Sequence, residues 1–290
     1  MRFDLAKADV VLALESDFLT AGPGSVRYAR DFAARRKVSH PEGAATTMNR
    51  LYVAESSPTA TGTVADHRLR IRPSQIAGIV QALAAAVGVA GVAAPALDAA
   101  TTKWVAAAAR DLAAHRGAAL VVAGETLPAA AHTLVAAIND ALGASGGALL
   151  YSAPFEADPV DNLTSLVALL DEMKAGKVDL LLLSGVNPVY DAPADLAVAA
   201  IFQASSALRI HHGLHDDETA AYSQWHVPAT HYLESWGDAR AYDGTVSLVQ
   251  PLIEPLYGGK TASEMIGALL GRPTDDAYTL LRETWEAQMG

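Results

Sequence analysis

Cysteine is absent from all 290 residues. That excludes disulfides, thiolate nucleophiles, cysteine-ligated zinc and cysteine-held iron–sulfur clusters within this sequence, while leaving the compartment open. Basic residues are scarce: 21 Lys and Arg stand against 32 Asp and Glu, for a formal charge of −11. Such a chain lacks the basic face that displaces counterions from nucleic acid, and the polybasic patch that docks on anionic lipid. Long apolar runs are missing as well. The N-terminal MRFDLAKADVVLALESDF sets acidic residues around a run too short for a signal peptide or a span, and no other stretch approaches the necessary length. The usual motifs do not occur: GPGSVR (22–27) departs from GxGxxG, and GxxxxGK[ST], GxSxG and HExxH are not found.

What remains is a core-forming sequence, 51% hydrophobic and 18% charged. Short apolar runs alternate with helical stretches. VVLAL (10–14) ends in Glu15-Ser16-Asp17, as a strand buried on both faces should. Gly22-Pro23-Gly24 then turns into a helix with Ser25 as expected N-cap. A second strand (49–54) ends in ESSPTATG, and ADHRLRIRPSQ reads as a half-buried edge strand before a helix opened by Pro73. Further helices are expected over about 100–115, 128–142, 161–174 and 193–204, with strands over 117–124, 146–152, 178–185 and 207–212. This alternation predicts a mostly parallel α/β sheet with helices on both faces. After His212 it is expected to stop, giving a loop-rich cap with terminal helices near 261–270 and 275–288. The expected organisation is a first α/β part over 1–95, a second over 96–224 in the same or a closely packed sheet domain, and the cap with its terminal helices over 225–290.

Ligands of open parallel sheets sit outside the carboxyl ends of strands. That directs attention to Glu15-Ser16-Asp17, to Glu55 through Gly62, to Ser184 through Pro188 and to His212 through Asp217. Turn chemistry alone also accounts for polar residues there. Five of the nine histidines fall between His211 and His231, beside Asp216, Asp217 and Glu218. His211 and His212 are adjacent, so in a strand they point to opposite faces and cannot share one metal. No spacing in the cluster matches a standard zinc signature, and no metal site is assigned.

The strings VNPVYDAPAD and LHDDETAAYSQWHVPATHYLESWGDARAYDGTVSLVQPLIEPLYGG resemble the molybdopterin oxidoreductase (DMSO reductase) superfamily. Gly185, Asn187 and Pro188 match its Gly-x-Asn-Pro turn; Glu218-Thr219-Ala220 and Pro228 match parts of T-E-T-A-x-x-A-D-x-x-L-P; Glu234 and Gly237 match E-x-x-G. MNRLYVAESSPTATGTVADHRLRIRPSQI and GPGSVRYARDFAARR look like the large iron–sulfur subunit of alternative complex III, a bacterial respiratory quinol oxidoreductase. The resemblance covers essentially the whole chain. It implies a piece of a longer subunit, whose iron–sulfur clusters lie in other segments or partners. It also implies membrane-complex partners, including cluster-bearing and polytopic proteins, and a soluble position at the periplasmic face of the inner membrane.

In that subfamily the domain carries no molybdenum cofactor, so the resemblance implies a scaffold without catalytic residues. Two departures point the same way: Glu15-Ser16-Asp17 stands where catalytic relatives have a Gly-x-Asn-Pro-type turn, and the Asp of the A-D pair falls at Gln224. The alternative is a fragment that binds molybdopterin guanine dinucleotide. Its candidate contacts would be Glu15, Ser16, Asp17, Ser57, Thr59, Gly62, Ser184, Gly185, Asn187, Pro188, His215, Asp217, Glu218 and Thr219. A third reading is a free-standing small-molecule-binding α/β protein.

Overall fold

The structure, a computed structural model, describes residues 1–37, 48–154, 156 and 158–289. The chain divides into two compact units, Met1–Ala153 with Tyr242–Gly244, and Pro154–Ala241 with Thr245–Gly290. The division expected after residues 95 and 224 is therefore not where it falls. Strand Ala119–Ala123 pairs with strand Val10–Leu14, which ties residues 96–153 to the first unit.

In the first unit the strands are β1 (Arg2–Phe3), β2 (Val10–Leu14), β3 (Arg50–Glu55), β4 (His67–Arg70), β5 (Ala119–Ala123) and β6 (Leu149–Leu150). Its helices are α1 (Ser25–Ala34), α2 (Ala60–Thr63), α3 (Pro73–Val87), α4 (Ala99–Ala114) and α5 (Ala129–Ala141). Four strands form one parallel sheet in the order β4-β3-β2-β5, with Val11 level with Leu51 and Leu120.

Period-2 alternation sorts the apolar residues onto its two faces. Val10, Leu12, Leu14 and Val121 pack with Ile76, Leu83, Leu112 and Ile138 from α3, α4 and α5. Val11, Ala13, Leu51, Val53 and Leu120 pack instead with Phe18, Tyr28 and Phe32. Each such side chain withdrawn from water contributes about 1.5–3 kcal/mol. The outer edge of β5 is closed by a side chain: Asn139 Oδ1 accepts from Val121 N and its Nδ2 donates to Val121 O, both at 2.8 Å.

The second unit holds β7 (Leu180–Ser184), β8 (Leu208–Gly213), β9 (Trp225–Pro228), β10 (Gly237–Arg240) and β11 (Val246–Val249). Its helices are α6 (Asn162–Lys174), α7 (Pro188–Asp191), α8 (Val198–Ala204), α9 (Ala262–Leu269) and α10 (Ala277–Met289). β7, β8 and β9 form a parallel sheet in that order, and β10 and β11 form a hairpin. Leu183 of β7 packs with Leu170, Met173 and Phe202 of α6 and α8. The fold class is that read from the sequence, a parallel α/β architecture with helices on both faces of the larger sheet.

Three local expectations are corrected. The sheet does not end with the strand at His212, because β9, within the stretch expected to be a loop-rich cap, continues it in parallel. The strand expected over 146–152 shrinks to β6, paired antiparallel with β1; Gly146 has φ +81° and a Cβ on Gly147 would lie 2.9 Å from Gly117 O, so this stretch turns instead of extending. Finally, Ser25 is the first helical residue and Gly24 precedes it, with no side-chain cap.

Candidate functional site

At the carboxyl end of β2 the chain turns sharply, with Glu15 in the left-handed region at φ +50°. That turn aims its carboxylate along the sheet, where Oε1 accepts from Ser56 N at 2.8 Å beyond β3. Asp17, two residues on, accepts from Thr61 N at 2.9 Å and from Thr61 Oγ1 at 2.6 Å, and also from the Thr20 hydroxyl. Burial works against its charge, but the Thr20 and Thr61 hydrogen bonds prevail and hold the carboxyl below the ordinary range. Glu55, at the end of β3, is 1% exposed. It accepts from Thr59 Oγ1 at 2.7 Å and from Thr59 N at 3.4 Å, and pairs with the Arg68 guanidinium. Gly62 exists to make room for it: a Cβ there would sit 1.8 Å from Glu55 Oε1.

β3 and β4 lie to one side of β2 and β5 to the other, so the topological switch point is between β2 and β5. Gly124 N donates to Leu14 O at 2.8 Å, and a Cβ on Gly124 would lie 1.8 Å from Glu15 O. Backbone is thus pressed onto backbone at the mouth of the crevice. A cavity of about 490 Å³ beside it is lined by Glu15, Ser16, Asp17, Gly124, Glu125 and Thr126, together with aromatic rings.

In the second unit, β7 and β8 end together. His212 Nε2 faces Lys260 O at 2.8 Å and its Nδ1 faces Ser184 Oγ at 2.8 Å. A carbonyl only accepts, so Nε2 carries the proton and, in the neutral ring, Ser184 donates to Nδ1. His211 points the other way, as adjacent strand residues must. Its Nδ1 lies 2.8 Å from Nδ1 of His226, with the rings stacked, and its Nε2 lies 3.4 Å from Asp217 Oδ1. Burial lowers the His211 pKa, opposed by the Asp217 and Asp216 charges and reinforced by the neighbouring His226 and His212 rings. Gly213 leaves space for this imidazole, since its Cβ would meet His211 Cε1 at 2.7 Å.

Asn187 is engaged on both sides of its amide: Nδ2 donates to Glu218 Oε2 at 2.8 Å and Oδ1 accepts from Thr219 Oγ1 at 2.6 Å. The Asn187 bond keeps the exposed Glu218 carboxyl below its ordinary pKa. Thr219 N and Ala220 N both donate to Asp217 Oδ1 at 3.0 Å. Gln224, at the departure from the family pattern, accepts from Arg209 N through Oε1 at 2.8 Å.

The sequence candidates therefore gather into two networks. Glu15, Asp17, Thr59 and Gly62 meet in the first unit. Ser184, Gly185, Asn187, Pro188, Asp217, Glu218 and Thr219 meet in the second. Ser16 lines the crevice, whereas Ser57 and His215 are exposed outside both networks. Sequence reading pointed to the stretch that holds Thr61 without singling it out, and missed Arg68 and the Gly124-Glu125-Thr126 turn; the last was within reach, being the polar end of an apolar strand like the others. Among the described residues, no group of three or more His, Asp or Glu converges as metal ligands would.

The two units are parallel α/β folds whose strands end in polar residues. The profile of the molybdopterin oxidoreductase family matches residues 4–272, and the chain belongs to that family. No curated protein matches it individually in sequence. Among solved structures, acetylene hydratase from Pelobacter acetylenicus is similar with a TM-score of 0.66 and 13% identity, over 96% of this chain and 50% of that one. The formyltransferase/hydrolase complex from Methylorubrum extorquens, solved with methylofuran, is similar with a TM-score of 0.53 and 14% identity, over 97% of this chain and 76% of that one. The chain thus spans half the length of the hydratase.

A family of this name raises the question of a pterin dinucleotide, and the strand-end donors can be tested against its pyrophosphate. A phosphate at a strand end needs free backbone N–H groups and no opposing charge. Here Ser56, Thr59 and Thr61 N–H donate to Glu15, Glu55 and Asp17, and Thr219 and Ala220 N–H donate to Asp217. Five donors are already taken by carboxylates of the same chain, whose charge would repel a phosphate. At these five donors the residues present do not fit a pyrophosphate.

Proposed function

We propose that this domain is a cofactor-free scaffold in a respiratory electron-transfer assembly. The observation that carries the reading is the occupation of strand-end amides by Glu15, Asp17, Glu55 and Asp217. A domain that fills its own crevice with charge is free to serve as a structural platform, and its exposed aromatic and apolar residues then serve partners. The sequence resemblance supports an alternative complex III-like quinol oxidoreductase, with iron–sulfur clusters and polytopic membrane proteins contributed by other segments or subunits. That one solved relative is itself a multi-component complex is in keeping with partner subunits. No helix among the described residues is long and apolar enough to cross a membrane, so in this reading the membrane contact belongs to the partners.

Family membership favours one rival, a domain that binds molybdopterin guanine dinucleotide. Molybdenum, tungsten and oxidised pterin measured on the protein purified in its native assembly decide between them. The scaffold reading expects pterin and metal far below one equivalent attributable to this chain. Stoichiometric pterin with either metal would overturn it.

A further inference from the structure

The second unit contains a cavity of about 710 Å³ whose lining includes none of the strand-end carboxylates. Its volume is in the range of sites that enclose a small molecule or several side chains. One wall is the ring pair Trp236 and Tyr278, with centroids 5.1 Å apart and planes inclined by 60°. Trp236 is half-buried and Tyr278 is 45% exposed, so the pair presents ring surface to whatever enters.

Four carboxylates line the same cavity: Glu234, Glu254, Glu264 and Asp276. Three are held in place by backbone amides. Glu234 accepts from His231 N at 3.0 Å, Glu264 from Thr261 N at 2.8 Å, and Asp276 from Thr279 N at 2.8 Å. Fixing them this way removes their freedom to turn away from the cavity. Lys260 is the cation in the lining, and it is already paired with Glu264 at 3.1 Å. The lining therefore carries a surplus of three negative charges beside two aromatic rings.

The rim adds a third property. Leu252 N and Ile253 N both donate to Leu233 O, at 2.7 and 3.2 Å, which anchors the Pro251–Pro255 loop. Yet the Leu252 side chain is 76% exposed and that of Ile253 is 49% exposed. An anchored backbone that holds apolar side chains in water beside a charged cavity is arranged for a partner surface.

We propose that this cavity docks a basic, apolar segment of a partner polypeptide. An Arg or Lys of that segment would lie against Trp236 and Tyr278 with the carboxylates around it, and its neighbouring apolar residues would cover Leu252 and Ile253. The occupant follows from charge complementarity. An anionic ligand is repelled by the surplus carboxylates, a neutral one leaves them unanswered, and cations bind ring faces. The proposal extends the scaffold reading without resting on it, since none of the strand-end carboxylates lines the cavity.

The test uses the full 290-residue chain and three blocked hexapeptides that alternate leucine with arginine, glutamine or glutamate, titrated calorimetrically. The arginine peptide should bind about tenfold or more tightly than the glutamine peptide, and the glutamate peptide should not bind. Glu254→Lys, which alters an exposed loop carboxylate, should weaken arginine-peptide binding about fivefold or more, as should Tyr278→Ala, while Tyr278→Phe should retain it. Glu172→Lys, a charge reversal outside the lining, should leave affinity unchanged. Equal binding of the arginine and glutamine peptides overturns the proposal. So does an effect of Glu172→Lys as large as that of Glu254→Lys, because general acidity would then explain the binding. Thermal melts of each variant establish that it is folded.

Discussion

The two units apply the same βαβ construction to different surfaces. In the first, all five residues of β2 are buried and Leu12 is wholly inaccessible. In the second, four consecutive leucines form β7, yet only Leu183 is buried and Leu180 is 42% exposed. Large apolar side chains in water follow the same division. Val26 and Tyr151 are examples in the first unit, whereas Tyr190, Trp225, Tyr232, Leu252, Leu256 and Tyr257 all belong to the second. An apolar strand that one sheet buries on both faces is, in the other, left partly in water at an edge. The first unit is closed by its own helices; the second leaves much of its apolar surface in water.

The largest expected effect probes that contrast directly. Leu12→Ala should cost about 2–5 kcal/mol by cavity formation, whereas Leu180→Ala should cost under about 1 kcal/mol. Denaturant melts followed by hydrogen exchange within each unit measure both. Similar costs would break the comparison. A smaller effect separates two strand-end glycines. Gly124→Ala drives a methyl onto the Glu15 carbonyl and should destabilise the first unit by about 1–3 kcal/mol. Gly185→Ala meets no atom within 4 Å and bears only the strain of φ +67°, roughly 1 kcal/mol.

The smallest effect is a pH dependence that His211 gives the second unit in the histidine range. The folded His211 pKa lies below its unfolded value of about 6.5, so between those values the unfolded chain binds more protons. Stability of this unit should therefore be full above that pH and fall as the pH drops through the window toward the folded pKa. His211→Asn should flatten the dependence. A second-unit melt that is pH-independent in the wild-type chain would contradict this placement.

Much of the fold was legible because apolar runs and periodicity report burial. VVLAL, ALVVA and the helix begun at Pro73 are found where their patterns put them. WHVP carried no such signal: it is half-exposed, ends in proline and joins the sheet only by pairing with β8. The candidate site divides the same way. Polar strand ends were visible as residues, but their meaning lay in partners that the sequence does not display. The groups bonded to Glu15 and Asp217 are main-chain amides, which every residue but proline possesses. Arg68 read as one polar residue of an edge strand, and only tertiary pairing brings it to Glu55.

That last contact sets an order on mutational history. While Glu55 is present, position 62 cannot gain a side chain, because a methyl there overlaps the carboxylate. Removing Glu55 first leaves the Arg68 guanidinium and the Thr59 hydroxyl without their acceptor. Losing Arg68 first would instead strand the buried Glu55 carboxylate without its counter-charge, so Glu55 must change before or with Arg68, and only then can Gly62 drift. Leaving the acidic form of this strand end takes several coordinated substitutions, so that form, once established, is an evolutionary ratchet.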